Sequence, residues 1–290
     1  MQAIHTYSQS CRRNRLGRSL FALALLGALS VGCAPDFPAT TGTVSAEPLH
    51  SQLVSDDYIL RVRLPPGYEA NPSKKYPLIV QLDPTFVGLH EFDITTGLVS
   101  QYAAMGRWPE AIVVGPDYPD PNTRLRDYVL PKPLTQSFSG QNVDLFYRVL
   151  KEEILPYVEG KYRIDPAQRI LIGHSAGATA VYYFTFRHAP PLAPLFSGAI
   201  AVDDGIEEGF FTLERWHYER TNTLPMKLYA TRAYWNGAVQ QIPYRAFVDR
   251  IRSRNYLGLS FAEETLDTDH GGAIRPSFEH GLDFIFGGGK

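Results

Sequence analysis

A doubly wound α/β fold is what this sequence predicts, and three observations carry the prediction. Three short runs are continuously apolar, Pro77–Leu82, Ala111–Gly115 and Ile170–Gly173, as parallel strands buried on both faces are. Between the second and third, Val143, Phe146, Val149, Leu150, Ile154 and Val158 recur at helical spacing. Strand-like and helix-like segments then alternate to the C-terminus, which in one sheet means right-handed crossovers, mostly parallel strands and helices on both faces.

The first 32 residues stand apart from this pattern. Arg12, Arg13, Arg15 and Arg18 occur without any acid and are followed by the apolar run Ser19–Gly32, the basic and hydrophobic regions of a signal peptide. Fourteen residues are short for roughly 30 Å of hydrocarbon, so export with cleavage is expected over a permanent membrane helix. The Arg12-Arg13 pair lacks the apolar residues that follow in a twin-arginine signal. Leu29-Ser30-Val31-Gly32-Cys33 resembles a bacterial lipobox, with Ser30 where Leu is usual, and implies a lipid anchor on Cys33. Ala34 rather than Asp after the cysteine resembles lipoproteins sent on to the outer membrane. The only other cysteine is Cys11, so no disulfide is expected in the mature domain. Residues 33–48, rich in Pro, Thr and small residues, read as a flexible tether.

One domain is expected over 49–286, with 287–290 as a tail. Tyr58, Leu60, Val62 and Leu64 alternate with Arg61 and Arg63, as in a half-exposed antiparallel strand, and Pro65-Pro66-Gly67 ends it. After the helix over Val143–Val158, Arg163-Ile164-Asp165-Pro166 turns the chain into the third buried strand. Gly198–Val202, Lys227–Ala230 and Leu259–Leu266 read as further strands, with helices over Gly177–Phe186 and Tyr244–Arg254.

Composition narrows the function. With 44% hydrophobic and 20% charged residues the chain is globular. A net charge of -2, and no Lys/Arg cluster beyond the leader, leave no basic field for a nucleic-acid backbone. No His/Cys/Asp spacing resembles a metal-ligand set, so neither metal nor organic cofactor is expected.

Chemistry enters at Gly173-His174-Ser175-Ala176-Gly177, a G-x-S-x-G placed directly after a buried strand and before a helix. Glycines are needed at the flanks of so tight a turn, which lifts the Ser175 hydroxyl above the carboxyl edge of the sheet. The same turn puts the Ala176 N–H at a helix N-terminus, where developing negative charge is favoured. Ser175 is thus the candidate nucleophile, with His174 packed beneath it.

Several further stretches resemble one family. Leu64-Pro65-Pro66-Gly67-Tyr68 with Lys75-Tyr76-Pro77, Leu82-Asp83, Ala111–Gly115, Arg126-Asp127 before Pro131, Glu153-Ile154-Leu155-Pro156 with Tyr162-Arg163, the Gly173–Gly177 turn, and His270 followed by Gly281–Phe286 are similar to the esterase D and enterochelin-esterase-like branch of the α/β-hydrolases, which also contains mycolyltransferases. The resemblance covers most of 58–286. It implies an α/β-hydrolase fold and a base on the loop after the last strand, which is His270 in Asp269-His270-Gly271-Gly272; His280 is the rival. It places the second oxyanion N–H two residues after Asp83, at Thr85, because Pro84 has replaced the usual Gly and has no N–H.

Relatives carry the acid shortly after the strand matching Lys227–Ala230, yet no carboxylate occurs between Glu219 and Asp249. Two accounts stay open: an acid at Asp203 or Asp204, delivered by Gly198–Val202 to the same sheet edge, or a Ser-His dyad oriented by a backbone carbonyl or by Asn236. Arg126-Asp127 reads as a structural ion pair or a carboxylate holder, and Phe210, Phe211, Trp216, Tyr218, Tyr234 and Trp235 as core or as the wall of an acyl or aryl pocket. The expected protein is an exported, lipid-anchored serine hydrolase of carboxylic esters. Its rivals are an acyltransferase of the same fold and a catalytically silent binding lipoprotein.

Overall fold

The computed structural model describes residues 38–85, 88–120, 123–130, 143–188 and 193–287. The segment expected to be a signal peptide, the expected lipidation site Cys33 and residues 288–290 lie outside them. Among the described residues, eight strands form one sheet: β1 (Thr43–Ser51), β2 (Asp56–Leu64), β3 (Tyr76–Gln81), β4 (Ile112–Asp117), β5 (Ile164–His174), β6 (Gly198–Val202), β7 (Lys227–Ala233) and β8 (Ser260–Leu266). Their order is β1-β2-β4-β3-β5-β6-β7-β8. β2 runs antiparallel to β1 and β4, and every pair from β4 onward is parallel.

The helices are α1 (Glu91–Ala104), α2 (Thr123–Tyr128), α3 (Val143–Val149), α4 (Leu155–Lys161), α5 (Ala176–Arg187), α6 (Glu208–Tyr218), α7 (Ala238–Arg254) and α8 (Ile274–Phe286). Side-chain alternation along the buried strands explains their unbroken apolar character. Leu78, Val80, Ile112, Val114, Leu171, Ala199, Ala201 and Leu228 face one way and pack with residues of α3 to α7. Ile79, Val113, Ile170, Ile172, Ile200 and Val202 face the other way, toward α1 and α8. A strand sandwiched between two helical layers has no polar face to offer. α8 lies close on β6, since a Cβ on Gly281 would come within 2.7 Å of Ile200.

Three expectations are modified. Thr43–Pro48, read as tether, are the first part of β1 and pair antiparallel with β2 from Thr43↔Leu64 to Ser51↔Asp56; the side chains of Thr43–Ala46 are exposed, so this strand end rests on backbone pairing and has little apolar signal. Arg63 is buried rather than half-exposed, donating to the carbonyls of Thr41 and Ala111 and to Ser100 Oγ. The helix over Val143–Val158 is interrupted by a π turn at Leu150–Ile154, where the Leu155 N–H reaches back to the Leu150 carbonyl. Pro156 follows directly and has no N–H to continue an α ladder.

Candidate active site

β5 ends at His174, and the chain reverses through Ser175 with φ 56° and ψ −126°, a conformation that is strained for any residue with a side chain. Close packing shows why glycines flank it. A Cβ on Gly173 would lie 2.3 Å from the Gly177 carbonyl oxygen, and one on Gly177 would lie 3.3 Å from Asp83 Oδ2. The Ser175 N–H donates to the Val202 carbonyl at 2.8 Å, stitching the turn to the end of β6. Ser175 and Ala176 are half-exposed. Ala176 is the first residue of α5, so its N–H belongs to the group that a helix leaves without an internal partner.

β6 hands over to Asp203 at the adjacent strand tip. Asp203 has φ 49° and its side chain is buried. Oδ1 accepts from the Ala233 N–H at 2.8 Å, and Oδ2 accepts from Asn236 Nδ2 and from His270 Nδ1 at 2.6 Å. The guanidinium of buried Arg232 stands 3.6 Å from Oδ1 and donates to the Asp204 carbonyl at 2.7 Å. Of the two acid candidates, the structure therefore brings Asp203 to His270. Asp204 turns away and accepts from Thr179 Oγ1 at 2.7 Å, because consecutive side chains leave the strand end in different directions. Asn236 touches both partners, 3.5 Å from His270 Nδ1. With the Nδ1 proton directed to Asp203, Asn236 can donate only to the carboxylate.

His270 sits on the loop after β8. Its ring packs against that of His174, centroids 4.3 Å apart, and its carbonyl meets His174 Nε2 at 3.1 Å. Since His174 precedes Ser175 directly, these contacts place His270 over the elbow. His280 lies on α8, exposed, against Glu264 Oε2 at 2.9 Å. Asp269 accepts from the Gly272 N–H at 2.8 Å and so shapes the His270 loop, while Asp267 accepts from Trp235 Nε1 at 2.9 Å.

The turn after β3 completes the site's rim. Asp83 has φ 52°, and Pro84 packs so tightly on β4 that a Cβ on Gly115 would come within 2.7 Å of it. Thr85 is exposed, and its hydroxyl donates to both oxygens of Asp117 at 2.8 Å, which fixes the turn that carries the Thr85 N–H. Asp83 pairs with Arg124 at 2.8 Å; burial outweighs that partner and pushes its carboxyl up to about 7.

The remaining candidates separate clearly. Arg126 pairs with Asp127 and Asp56, and Tyr58 donates to Asp127 at 2.7 Å, a network that ties β2 to α2. Phe210 is core, with Phe211, Trp216 and Tyr218 packed against it. Tyr234 and Trp235 are 62% and 64% exposed on a 3₁₀ turn (Tyr234–Asn236), beside the residue that holds Asp203. Sequence reasoning missed Glu91 and Gln81, which lie beneath His174, and Arg232, which lies behind Asp203. Their only signal is polarity at positions that the topology buries.

Residues 51–193 match the family model described as "Putative esterase". Among solved structures, the IroE-like serine hydrolase from Shewanella oneidensis is similar with a TM-score of 0.71 and 20% identity, covering 84% of this chain and 80% of that one. Siderophore hydrolase EstB from Aspergillus nidulans gives 0.69 and 19%, covering 87% and 98%. The enterobactin hydrolase IroE in complex with DFP gives 0.59 and 18%, covering 85% and 95%. No curated protein matches the sequence.

Proposed function

Taking as premise that this chain belongs to the α/β-hydrolase-type esterase family and is a carboxylic ester hydrolase, we propose that it works through an acyl-enzyme on Ser175, with His270 as base and Asp203 as the acid that orients it. The observation that carries this reading is the 2.6 Å contact between His270 Nδ1 and Asp203 Oδ2, made at the strand tip next to the Ser175 turn. Donation from Nδ1 to the carboxylate leaves Nε2 unprotonated, which is the nitrogen a base needs. Ser175 Oγ attacks the ester carbonyl while its proton passes to His270 Nε2. The imidazolium is stabilised by Asp203, and the tetrahedral oxyanion accepts from the N–H groups of Ala176 and Thr85. Collapse breaks the ester C–O bond, and His270 returns the proton to the leaving alcohol. Water, deprotonated by His270, then releases the acid and restores Ser175.

Tyr234 and Trp235 form the substrate-facing lip of this site in our reading, an aromatic surface on which an aryl or acyl group stacks. The leader adds the location: an exported protein held to a membrane through lipid on Cys33, supported by the basic and apolar segments and the Leu29–Cys33 motif.

Hydrolysis of p-nitrophenyl acetate tests the mechanism. Ser175→Ala and His270→Ala each reduce turnover to near background, and the double variant is little worse than either single one, since nucleophile and base act as a unit. Additive losses, or near-full activity in either single variant, would refute the assignment. The anchor has its own test. Full-length protein made in a Gram-negative host partitions with membranes, and Cys33→Ser leaves an unlipidated precursor; unchanged mobility and distribution would indicate ordinary signal cleavage.

A further inference from the structure

Beneath the elbow lies a second histidine–carboxyl pair that the mechanism above does not use. His174 and Glu91 are both buried, with His174 Nδ1 3.0 Å from Glu91 Oε1. The other face of the imidazole meets the His270 carbonyl at 3.1 Å. Glu91 opens α1, and its Oε2 accepts from Gln81 Nε2 at 3.0 Å. Gln81 Oε1 accepts in turn from Thr95 Oγ1 at 2.7 Å. A continuous chain of polar groups thus runs from α1 through β3 and β5 to the backbone of the loop that carries the base.

Donor arithmetic fixes the protons along it. A carbonyl only accepts, so His174 Nε2 carries a hydrogen. Gln81 Nε2 only donates, so Glu91 Oε2 accepts. One proton is left for the Nδ1–Oε1 contact, and its position decides between a neutral pair and an ion pair. The charges facing the pair are Asp83 and Arg124 on the β3 and α2 side, Asp203 at the tip of β6, and His270 itself. Burial outweighs them, pushing Glu91 up to about 8 and, with the neighbouring charge of His270, His174 down to about 4. Both directions favour the neutral pair.

We propose that His174, held in its Nε2–H tautomer by the protonated carboxyl of Glu91, is a positioning residue for His270: it anchors the backbone of the catalytic loop and presents an uncharged ring to the base. The neutral state matters because His270 becomes an imidazolium during turnover, with the His174 ring centroid 4.3 Å away. A cation there would oppose the proton transfer that the base must make. Ionisation of Glu91 would instead draw the His174 proton to Nδ1, leaving a bare Nε2 against the His270 carbonyl.

This inference rests on the Ser175–His270 reading, and a parallel Ser175→Ala control separates the two: residual hydrolysis in that control sinks the mechanism, whatever His174 does. With the control dead, kcat and KM are measured from pH 6 to 10 for wild type, Glu91→Gln, His174→Gln and His174→Phe. A glutamine at 91 reproduces the protonated acid, one amide hydrogen to Nδ1 and one oxygen toward Gln81. Glu91→Gln therefore keeps wild-type kcat at pH 7 and abolishes an alkaline fall in kcat that wild type shows near pH 8. His174→Phe lowers kcat about 10- to 100-fold with KM within about twofold, a loss of the size that a displaced catalytic group produces, and His174→Gln, which keeps a donor for the His270 carbonyl, recovers most of it. A folded His174→Phe with intact kcat overturns the proposal. So does Glu91→Gln if it loses as much as His174→Phe at pH 7, or if it retains the wild-type alkaline limb. Should His174→Phe fail to fold, the Glu91→Gln pH profile decides alone.

Discussion

Asp203 and Asp204 are neighbours with the same functional group, and the fold gives them different work. Asp203 receives the His270 Nδ1–H, the Ala233 N–H and the Asn236 amide, whereas Asp204 receives the Thr179 hydroxyl. Asp203→Asn therefore lowers turnover by at least about a hundredfold and toward the roughly 10⁴ of a full triad, because an amide at that place favours the wrong tautomer of His270. Asp204→Asn stays within about threefold, since Thr179 can still donate to the amide oxygen. Initial rates on a small aryl ester check both, and equal losses would contradict the assignment. The family resemblance expects an acid after β7, and the lack of one there left this pair and a Ser-His dyad as open readings; choosing among them needed the direction in which each side chain leaves the strand. Glu91 and Arg232 were not legible at all. A charged residue in a sequence carries no sign that the sheet edge will bury it, and only the packing of α1 and β7 around the elbow does so.

Strands buried on both faces announced themselves, because β3, β4, β5, β6 and β7 need apolar side chains on each side of the sheet. β1 did not, since its first four residues are exposed and its pairing is made by backbone groups that every residue has. The α3–π–α4 interruption was likewise silent, because the apolar spacing continues across it. The elbow was the clearest local signal, and it supplies a mechanical prediction: Gly173→Ala must push a methyl into the Gly177 carbonyl, 2.3 Å away. An overpacked site costs about 1–3 kcal/mol, which lowers Tm by about 2–12 °C for a domain of this size and takes activity with it. An unchanged melting curve would mean that the turn has more room than described. On the facing side, Trp235→Ala raises KM for aryl esters about 3- to 10-fold at constant kcat, the worth of one aromatic contact. A kcat loss without a KM change would instead tie Trp235 to the catalytic loop through its N–H to the Thr268 carbonyl.

The molecule as a whole holds buried carboxyls whose protons are linked to folding. Glu91 and Asp83 keep theirs to about 8 and about 7, while an unfolded chain releases such protons near pH 4. Between those values the folded state binds more protons than the unfolded one, so these groups make stability fall as pH rises through that window. Glu91→Gln removes one of them. Its urea midpoint relative to wild type rises from pH 5 to pH 8, and a difference that stays flat or reverses would place the Glu91 proton elsewhere. The proposed chemistry requires Ser175 to be the activated nucleophile that the strand tip, His270 and Asp203 are arranged around. Treatment of the protein with a fluorophosphonate, followed by intact-mass and peptide analysis, gives one covalent adduct, on the peptide containing Ser175, and none in folded Ser175→Ala. An unlabelled wild-type domain, or an adduct that persists in Ser175→Ala, would contradict it.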